Sequence, residues 1–271
     1  MIDVVLKKKT GKTSFVGEVS FGPRGAGQSI PDVDGQSFHI QNLYATYAAS
    51  DKLSLTAGYM GTFIGYEVIS PLANFHYSTS YLFTTGPFQN AGIKANYAVS
   101  SKVGLMVGLF NDQWNTYKAT PEFGLNAFGA QLTLTPAEGL TAYFNLLTGS
   151  ESGTIVDLTA AYQVSPKFKL GLNAADFSGV DSGSGYSGIA LYPSVAISDS
   201  FGLGLRAESF KSKTLDTSVS AFTLSANLKS GGLTFIPEIR LDNASEDGFY
   251  KSNGNPTKSA SQFAVAMVYG F

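Results

Sequence analysis

The sequence predicts an all-β fold, an antiparallel up-and-down transmembrane β-barrel of about 16 strands, within bounds of about 14 to 18. Three observations predict it: a low content of charged residues, side chains that alternate between apolar and polar, and connections that alternate between short and long. We expect residues 1–271 to form a single transmembrane β-barrel domain, with one long insertion folded toward the lumen. A barrel of this size is too wide for side chains to fill, so its lumen is expected to hold water.

The composition indicates contact with lipid. Hydrophobic residues make up 44% of the chain and charged residues only 14%, whereas ordinary soluble domains contain roughly 25% charged residues. The apolar runs are too short for a membrane-spanning helix, which needs about 18 consecutive apolar residues. Only helices and closed barrels satisfy every backbone hydrogen bond inside lipid, so the remaining solution is a barrel surrounded by membrane lipid.

The charge and the reactive residues exclude several function classes. A net charge of −2 provides no basic surface, so no nucleic-acid partner is predicted. The chain has no cysteine, and neither His39 nor His76 lies in a serine-hydrolase or metal-binding motif. Residues 32–35 resemble the start of a calcium loop but lack its downstream ligands, which favours a turn. We therefore predict no catalytic residue, no cofactor-binding residue, no metal site and no enzymatic activity.

The alternation of side chains is clearest at the C-terminus. There, large apolar residues occupy every second position, and the residues between them are mostly small or polar. The apolar set is Phe263, Val265, Met267, Tyr269 and Phe271. Because successive side chains of a strand point to opposite faces, this set should face lipid. A soluble β-sandwich is the alternative, but it predicts more Lys and Glu on its solvent face than the chain contains.

The connections alternate in length, as they do between the periplasmic and external ends of outer-membrane barrels. Short polar turns such as 50–52 and 165–167 are predicted at the periplasmic end, and longer segments such as 243–259 at the external end. The C-terminus is then periplasmic. Aromatic residues near strand ends are expected to form interfacial girdles. They are Tyr47, Tyr59, Tyr97, Tyr162, Phe168, Phe201, Tyr269 and Phe271.

The number of strands leaves one conflict, because fifteen segments alternate clearly. A further candidate strand, 76–85, would place the short 50–52 turn at the external end if it crossed the membrane. We therefore interpret 61–88 as one insertion on the external side. Bacterial single-chain barrels have an even number of strands, which predicts that a first strand is missing from the N-terminus. The first residues also lack a secretory signal peptide, as a mature or truncated form would.

Charged residues of both signs fall on positions predicted to face the lumen. They are Glu18, Lys94, Asp157, Lys169, Arg206, Glu208, Glu238, Arg240 and Asp242. Because the signs are mixed, strong selectivity for anions or cations is not predicted. The pairs at 206/208 and 238/240 lie on strands separated by one other strand and can form a ladder of charges across the wall. Two roles remain open for them: charge compensation that stabilises the barrel, and contact with solutes.

The insertion 61–88 mixes aromatic and polar residues, which suits a segment that narrows a pore. Its candidate constriction residues are Tyr66, Glu67, Asn74, His76 and Tyr77. The alternative is an ordinary external loop, and the sequence leaves both interpretations open.

The stretch 61–97 contains the residues Gly61, Ile64, Gly65, Tyr66, Glu67, Asn74, Tyr77, Ser78, Ser80, Gly86, Pro87 and Phe88. In this pattern the stretch resembles the OmpL-like family of outer-membrane β-barrel porins. An Arg commonly lies between the two serines in that family, whereas this chain has Thr79, so no charge is carried over to that point. The resemblance implies a porin without a particular substrate. Such porins are usually longer, which again implies an absent N-terminal portion.

The C-terminal strand carries a second expected function. A terminal aromatic residue after alternating apolar residues looks like the signal that the outer-membrane assembly machinery reads in its clients. Phe263, Tyr269 and Phe271 are the residues predicted to form this signal, and the assembly machinery is then a partner.

The leading functional prediction is a porin of the bacterial outer membrane, in which small polar solutes diffuse passively through a water-filled lumen. The alternative is a structural or accessory barrel subunit of a larger outer-membrane complex, with a plugged lumen. A membrane hydrolase is a third interpretation, which the missing catalytic motifs disfavour. A homotrimer and a larger membrane complex are both open as the oligomeric state.

Overall fold

A computed structural model describes residues 1–27, 38–116 and 124–271. The turn predicted at 32–35 lies outside these residues. The chain divides into two compact units. Unit 1 contains Met1–Ile64, Gly86–Pro136 and Tyr143–Asp157, and unit 2 contains Gly65–Thr85, Ala137–Ala142 and Leu158–Phe271.

Unit 1 is a run of antiparallel strands, each hydrogen-bonded to the next along the chain. The strands are β1 (Ile2–Thr10), β2 (Thr13–Phe21), β3 (Phe38–Ala48), β4 (Leu53–Gly61), β5 (Gln89–Ala98), β6 (Val103–Phe110) and β7 (Ala127–Leu134). A five-residue helix, α1 (Pro23–Gly27), follows β2. Two further strands, β8 (Leu140–Gly149) and β9 (Gly153–Gln163), have residues in both units.

Unit 2 repeats the same antiparallel arrangement. Its strands are β10 (Phe168–Ser178), β11 (Gly185–Ser198), β12 (Phe201–Ser212), β13 (Thr217–Ser230), β14 (Leu233–Ala244), the two-residue strands β15 (Phe249–Tyr250) and β16 (Pro256–Thr257), and β17 (Ser259–Tyr269). The short strands form a hairpin in the connection between β14 and β17.

The insertion 61–88 contains no strand beyond the end of β4 at Gly61. It forms a 3₁₀ turn at Pro71–Ala73 and a short helix, α2 (Tyr81–Thr85), where a spanning strand was the alternative. Ser80 begins this helix, since its hydroxyl accepts a hydrogen bond from the Phe83 N–H at 3.0 Å. The described residues thus contain fifteen strands of eight residues or more, within the predicted range. Neither helix of the described residues is long and apolar enough to cross a membrane.

The strands have an apolar outer face and a mostly polar inner face, as the alternation predicts. On β13, Phe222 is 52% exposed, whereas the adjacent Thr223 is fully buried. Unit 1 follows the same rule, since Leu105, Val107 and Leu109 on β6 are all exposed. These large apolar side chains are not the core of either unit, which is the arrangement a strand needs when lipid is its outer solvent.

Tyr59 is an exception to the predicted outward set, because it is only 3% exposed. The cause is Gly58, whose φ of +134° is a conformation that L side chains rarely adopt. The alternation along β4 is broken there: Ala57 is exposed, but both Tyr59 and Met60 are buried. The other predicted girdle residues are exposed, apart from Phe201, which is half-buried.

The short turns share a local motif that explains their length. The hydroxyl of Ser50 accepts hydrogen bonds from the Lys52 and Leu53 N–H groups, at 3.2 and 3.1 Å. Ser100 and Ser165 make the equivalent bonds in the turns between β5 and β6 and before β10. A serine that satisfies turn donors in this way reverses the chain within a few residues.

Candidate functional site

The inner face of β12, β13 and β14 carries the charged residues of unit 2 in rows set by strand register. Arg206, Thr223 and Arg240 are directly paired neighbours, and so are Gly204, Ser225 and Glu238. Arg206 is therefore level with Arg240, not with Glu238. The predicted ladder of charges across the wall is not formed among the described residues, because these side chains bind the insertion instead.

Arg206 forms an ion pair with Glu67 of the insertion, with 2.8 Å between guanidinium and carboxylate and side-chain exposures of 0% and 4%. Arg206 also donates to the Ser78 carbonyl, the Ser78 hydroxyl and Thr223 Oγ1. Ser80 donates to Glu67 through both its N–H and its hydroxyl. A buried ion pair is tolerable only when further hydrogen bonds satisfy its remaining groups, and this pair meets most of that requirement.

Glu208 binds the beginning of α2. Its two carboxylate oxygens accept hydrogen bonds from the Tyr81 and Leu82 N–H groups, both at 2.9 Å. The first N–H groups of a helix have no partner inside the helix, so a carboxylate placed there stabilises its start. A wall residue thus fixes where the helix of the insertion begins.

Glu238 binds the middle of the insertion in the same way. It accepts hydrogen bonds from the Tyr77 and Ser78 N–H groups at 2.9 and 3.0 Å, and from Ser225 Oγ at 2.7 Å. His76 Nδ1 lies 2.7 Å from the same Ser225 hydroxyl. Burial and the nearby Arg206 charge lower the pKa of His76 to about 3, against the opposing effect of Glu238. His76 is therefore neutral at physiological pH.

Arg240 is the last charged wall residue that binds the insertion. Its Nε lies 3.0 Å from both Asp242 oxygens, and one terminal nitrogen donates to the Thr79 carbonyl at 2.8 Å. Its guanidinium also lies over the Tyr81 ring, 4.9 Å from the centroid. We call Glu67 of the insertion and the four wall residues Arg206, Glu208, Glu238 and Arg240 the anchor cluster. Together they hold residues 67–82 of the insertion against the wall.

Aromatic residues of the insertion pack on glycines of the wall. The Tyr66 ring stacks on Tyr192 with 4.5 Å between centroids, and a Cβ on Gly171 would collide with the Tyr66 hydroxyl. A Cβ on Gly204 would likewise collide with the Phe75 ring. These two positions on the inner face need glycine because the insertion approaches so closely.

Most of the predicted lumen and constriction residues of unit 2 lie where the insertion meets the inner face. The predicted constriction residues also include Asn74, whose amide exchanges two hydrogen bonds with the backbone of Val68. Tyr77 packs against an apolar cluster of Ile236, Ala266 and Val268. Lys169 lies on the inner side of β10 but is exposed.

Three predicted lumen residues belong to unit 1. Glu18 accepts a hydrogen bond from the Asn42 amide at 2.7 Å, and Asp157 accepts one from the Asn145 amide at 2.6 Å. Lys94 is half-buried on β5. No role is assigned to these residues by their contacts alone.

Sequence reasoning missed several uncharged wall residues that bind the insertion. Asn173 accepts a hydrogen bond from the Tyr66 N–H at 3.3 Å, and Asn227 donates to the Phe75 carbonyl at 3.1 Å. The only available signal is that Asn173 shares the inward positions of Lys169, and that Asn227 shares those of Thr223 and Ser225. Nothing in the sequence marks their partners on the insertion.

A separate buried carboxylate, also missed, holds two connections of unit 1 together. Asp112 follows β6 and accepts hydrogen bonds from Ser150 Oγ, the Glu151 N–H, the Ser152 N–H and Ser152 Oγ, at 2.7 to 3.0 Å. Burial alone would raise the pKa of Asp112, but these bonds outweigh it and lower the pKa below its usual value.

Three cavities of about 240, 660 and 220 Å³ lie beside the insertion within unit 2. Phe75 and Lys169 line all three, and Asn227 and Lys229 line the second and third. Within residues 1–27, 38–116 and 124–271, no group of three or more His, Asp and Glu side chains lies close enough to hold a metal ion.

Comparison with known proteins identifies the fold. The putative β-barrel porin-2, OmpL-like family matches residues 1–271. No curated protein matches this chain in sequence.

Solved structures of outer-membrane porins are similar to this one. The anion-selective porin from Comamonas acidovorans superposes with a TM-score of 0.69 at 12% identity, over 98% of this chain and 87% of that one. OmpT of Vibrio cholerae gives 0.61 at 11%, over 97% and 86%. OccAB4 of Acinetobacter baumannii gives 0.59 at 12%, over 99% and 81%. The predicted all-β barrel fold and the outer-membrane location are therefore confirmed. The chain belongs to the OmpL-like β-barrel porin family of the bacterial outer membrane.

Proposed function

We propose that this porin allows small hydrophilic solutes to diffuse passively through a water-filled lumen, that residues 1–271 form a single barrel domain, and that the insertion 61–88 is its constriction. The observation that carries the proposal is the position of the insertion. Buried charged side chains hold it against the inner face of unit 2, while the outer face of the same strands is apolar. An external loop without a pore role has no need of such anchors.

A constriction must keep a fixed position, since a loose segment would open and close the pore at random. The anchor cluster binds the insertion at several backbone groups, including those of Tyr77, Ser78 and Leu82. In this proposal the anchor residues set the position of the constriction through charge compensation, and solutes do not contact them. Lys169, one of the predicted lumen residues, is exposed on the wall and accessible to solutes.

A plugged accessory subunit is the second candidate, because the same anchors can also hold a plug. The cavities beside the insertion favour a channel. They are lined by polar residues such as Lys169, Asn74 and Ser194, which water solvates readily.

Single-channel conductance in planar bilayers tests the proposal. We compare the intact chain with a variant in which residues 66–84 are replaced by a short Gly-Ser linker. The control is Asp216→Ala, which removes an exposed ion pair with Lys211 at a turn residue of positive φ. The intact chain should conduct steadily, the shortened variant should conduct more, and Asp216→Ala should match the intact chain. No steady current from the intact chain would favour the plugged subunit. Equal conductance in the intact and shortened chains would contradict the constriction.

The predicted assembly signal fits the end of β17, where Phe263, Tyr269 and Phe271 are exposed on the outer face. We propose that the outer-membrane assembly machinery reads these residues. Deleting Phe271 should lower the amount of assembled porin in the outer membrane, whereas Tyr250→Ala in the β15–β16 hairpin should not. Equal assembly of both variants would contradict this role.

A homotrimer is the proposed oligomeric state. A trimer form of Vibrio cholerae OmpT is among the similar structures, at 11% identity and a TM-score of 0.57. The mass of the detergent-solubilised porin measures the state directly, and a monomer mass would contradict the proposal.

A further inference from the structure

We propose that Lys169 and Lys229 form an anion-attracting vestibule on the inner side of unit 2, so that the porin favours solutes carrying carboxylate or phosphate groups. The inference rests on the proposed porin function. It goes beyond the expectation from sequence, in which mixed charges on the lumen face predict no strong selectivity.

The acids near the insertion do not balance these lysines, because they are already bound. Glu67 pairs with Arg206, and Asp242 lies against Arg240. Glu208 and Glu238 are both 3% exposed and accept hydrogen bonds from backbone N–H groups of the insertion. Their carboxylates are thus covered by the insertion and are not presented to a passing cation.

The two lysines, in contrast to these acids, are not covered by the insertion. Both are exposed, and across the described ranges neither ammonium group has an ion-pair or hydrogen-bond partner. Each lies on the inner face: Lys169 alternates with Phe168 and Leu170 on β10, and Lys229 continues the row of Ser225 and Asn227 at the end of β13. Their charge therefore faces the cavities and not the lipid.

Two of the cavities beside the insertion include both lysines. The cavity of about 660 Å³ is lined by Lys169 and Lys229, with Lys167 and Asp199 as its other charged residues. The cavity of about 220 Å³ has Lys169 and Lys229 as its only charged lining residues. Lysines outnumber acids in both, so the fixed charge that meets a solute there is positive.

The wall between the lysines leaves room for a solute. Near the lysines, the cavity lining includes two small residues of the intervening strands, Ser194 on β11 and Gly202 on β12. Adjacent strands lie about 4.8 Å apart, so β10 and β13 are separated by roughly 14 Å along the sheet. Strand register places Lys169 level with Ser225, so Lys229 lies four residues further along β13. The lysines act on one ion through the cavities that both line, where the field of an exposed charge extends about 8 Å at physiological ionic strength.

Reversal potentials in planar bilayers under a KCl gradient test this inference. We compare the intact porin with the double variant Lys169→Glu/Lys229→Glu, the neutral double variant Lys169→Gln/Lys229→Gln, and the control Lys251→Glu. Lys251 is exposed between β15 and β16 and lines none of these cavities. The intact porin and the control should prefer chloride over potassium by a few-fold, the glutamine variant should lose most of this preference, and the glutamate variant should invert it. The preference should also weaken as KCl rises to about 1 M, where the screening length is about 3 Å.

Each outcome decides between the two proposals. A steady current without chloride preference in the intact porin would overturn the vestibule and leave the porin function standing. A chloride preference that survives in both double variants would overturn the assignment to these lysines. Absence of any steady current would contradict the porin function, and the vestibule with it.

Discussion

The wall residues of the anchor cluster and the two lysines of the vestibule lie on the same inner face of unit 2 but differ in what their charges contact. The anchor residues are buried or half-buried and join the insertion to the wall, whereas Lys169 and Lys229 are exposed and without partners in the described residues. The position of a charge on a lumen face therefore does not fix its role. A bound charge positions a segment of the chain, and an unbound charge acts on ions and solutes.

Breaking the anchor cluster should have the largest effect. Arg206→Ala leaves Glu67 buried without its cation, which costs about 3–5 kcal/mol. We expect the insertion to detach, so that single-channel conductance rises and proteases cleave within 65–85. Lys211→Ala is the matched control, since it removes an exposed ion pair of the kind that contributes about 0–1 kcal/mol. An uncleaved insertion and unchanged conductance in Arg206→Ala would show that the cluster is not the anchor.

A steric change at the wall should have the next largest effect. Gly204→Val places a side chain where the Phe75 ring lies, and overpacking of this kind costs about 1–3 kcal/mol. We expect a partial displacement of the insertion, with conductance between those of the intact porin and Arg206→Ala. Gly248→Val is the steric control, because a Cβ there meets only the Glu246 carbonyl oxygen at 3.9 Å and the residue has no positive φ. If Gly204→Val conducts like the intact porin, Phe75 does not define the position of the insertion.

Asp112 is the counterpart of the anchor residues in unit 1, where a bound carboxylate holds two connections together instead of an insertion. Asp112→Asn replaces an acceptor of four hydrogen bonds by a side chain with a single acceptor oxygen, at a cost of about 1–3 kcal/mol. Because the pKa of Asp112 is lowered in the folded protein, its contribution is complete above the unfolded pKa and is lost as pH falls through the folded pKa. Hydrogen exchange of 150–152 should speed up in Asp112→Asn at neutral pH, and equal exchange rates would contradict this role.

His76 should produce the smallest effect, visible only as a dependence on pH. Its pKa is lowered from the ordinary 6.5 to about 3 in the folded protein, so its contribution to stability is present above pH 6.5 and declines as pH falls toward about 3. Arg206 and Glu238 are the charged groups that face it. Between pH 6.5 and 5, which lies above the carboxylate range, the insertion should become easier to cleave in the intact porin than in His76→Gln. Identical pH profiles would contradict the assignment.

The sequence predicts faces better than partners. Alternation along β13 and β14 assigns Phe222 and Ile239 to the outer face and Thr223 and Glu238 to the inner face, because strand geometry alone decides this. It also identifies 61–88 as an insertion, since turn lengths oppose a further spanning strand. It fails at Tyr59, where the backbone conformation of Gly58 breaks the alternation.

The partners of the lumen charges depend on contacts between residues far apart in the chain. Arg206 and Glu67 are separated by 139 positions, and no local pattern links them. The sequence therefore shows that both signs occur on the inner face but not which charges are bound. For the same reason Lys229, at the end of a strand and next to a turn, does not stand out as a lumen residue.

We infer that lipid solvates the outer face of these strands and water the inner face, and the accessibility of single cysteines measures this difference. The chain has no cysteine of its own, so each introduced thiol reports alone. In membranes, Lys229→Cys should react with a charged, water-soluble thiol reagent, and Leu224→Cys should react only with a membrane-soluble one. Rapid reaction of Leu224→Cys with the charged reagent, together with protection of Lys229→Cys, would show that lipid does not solvate the outer face.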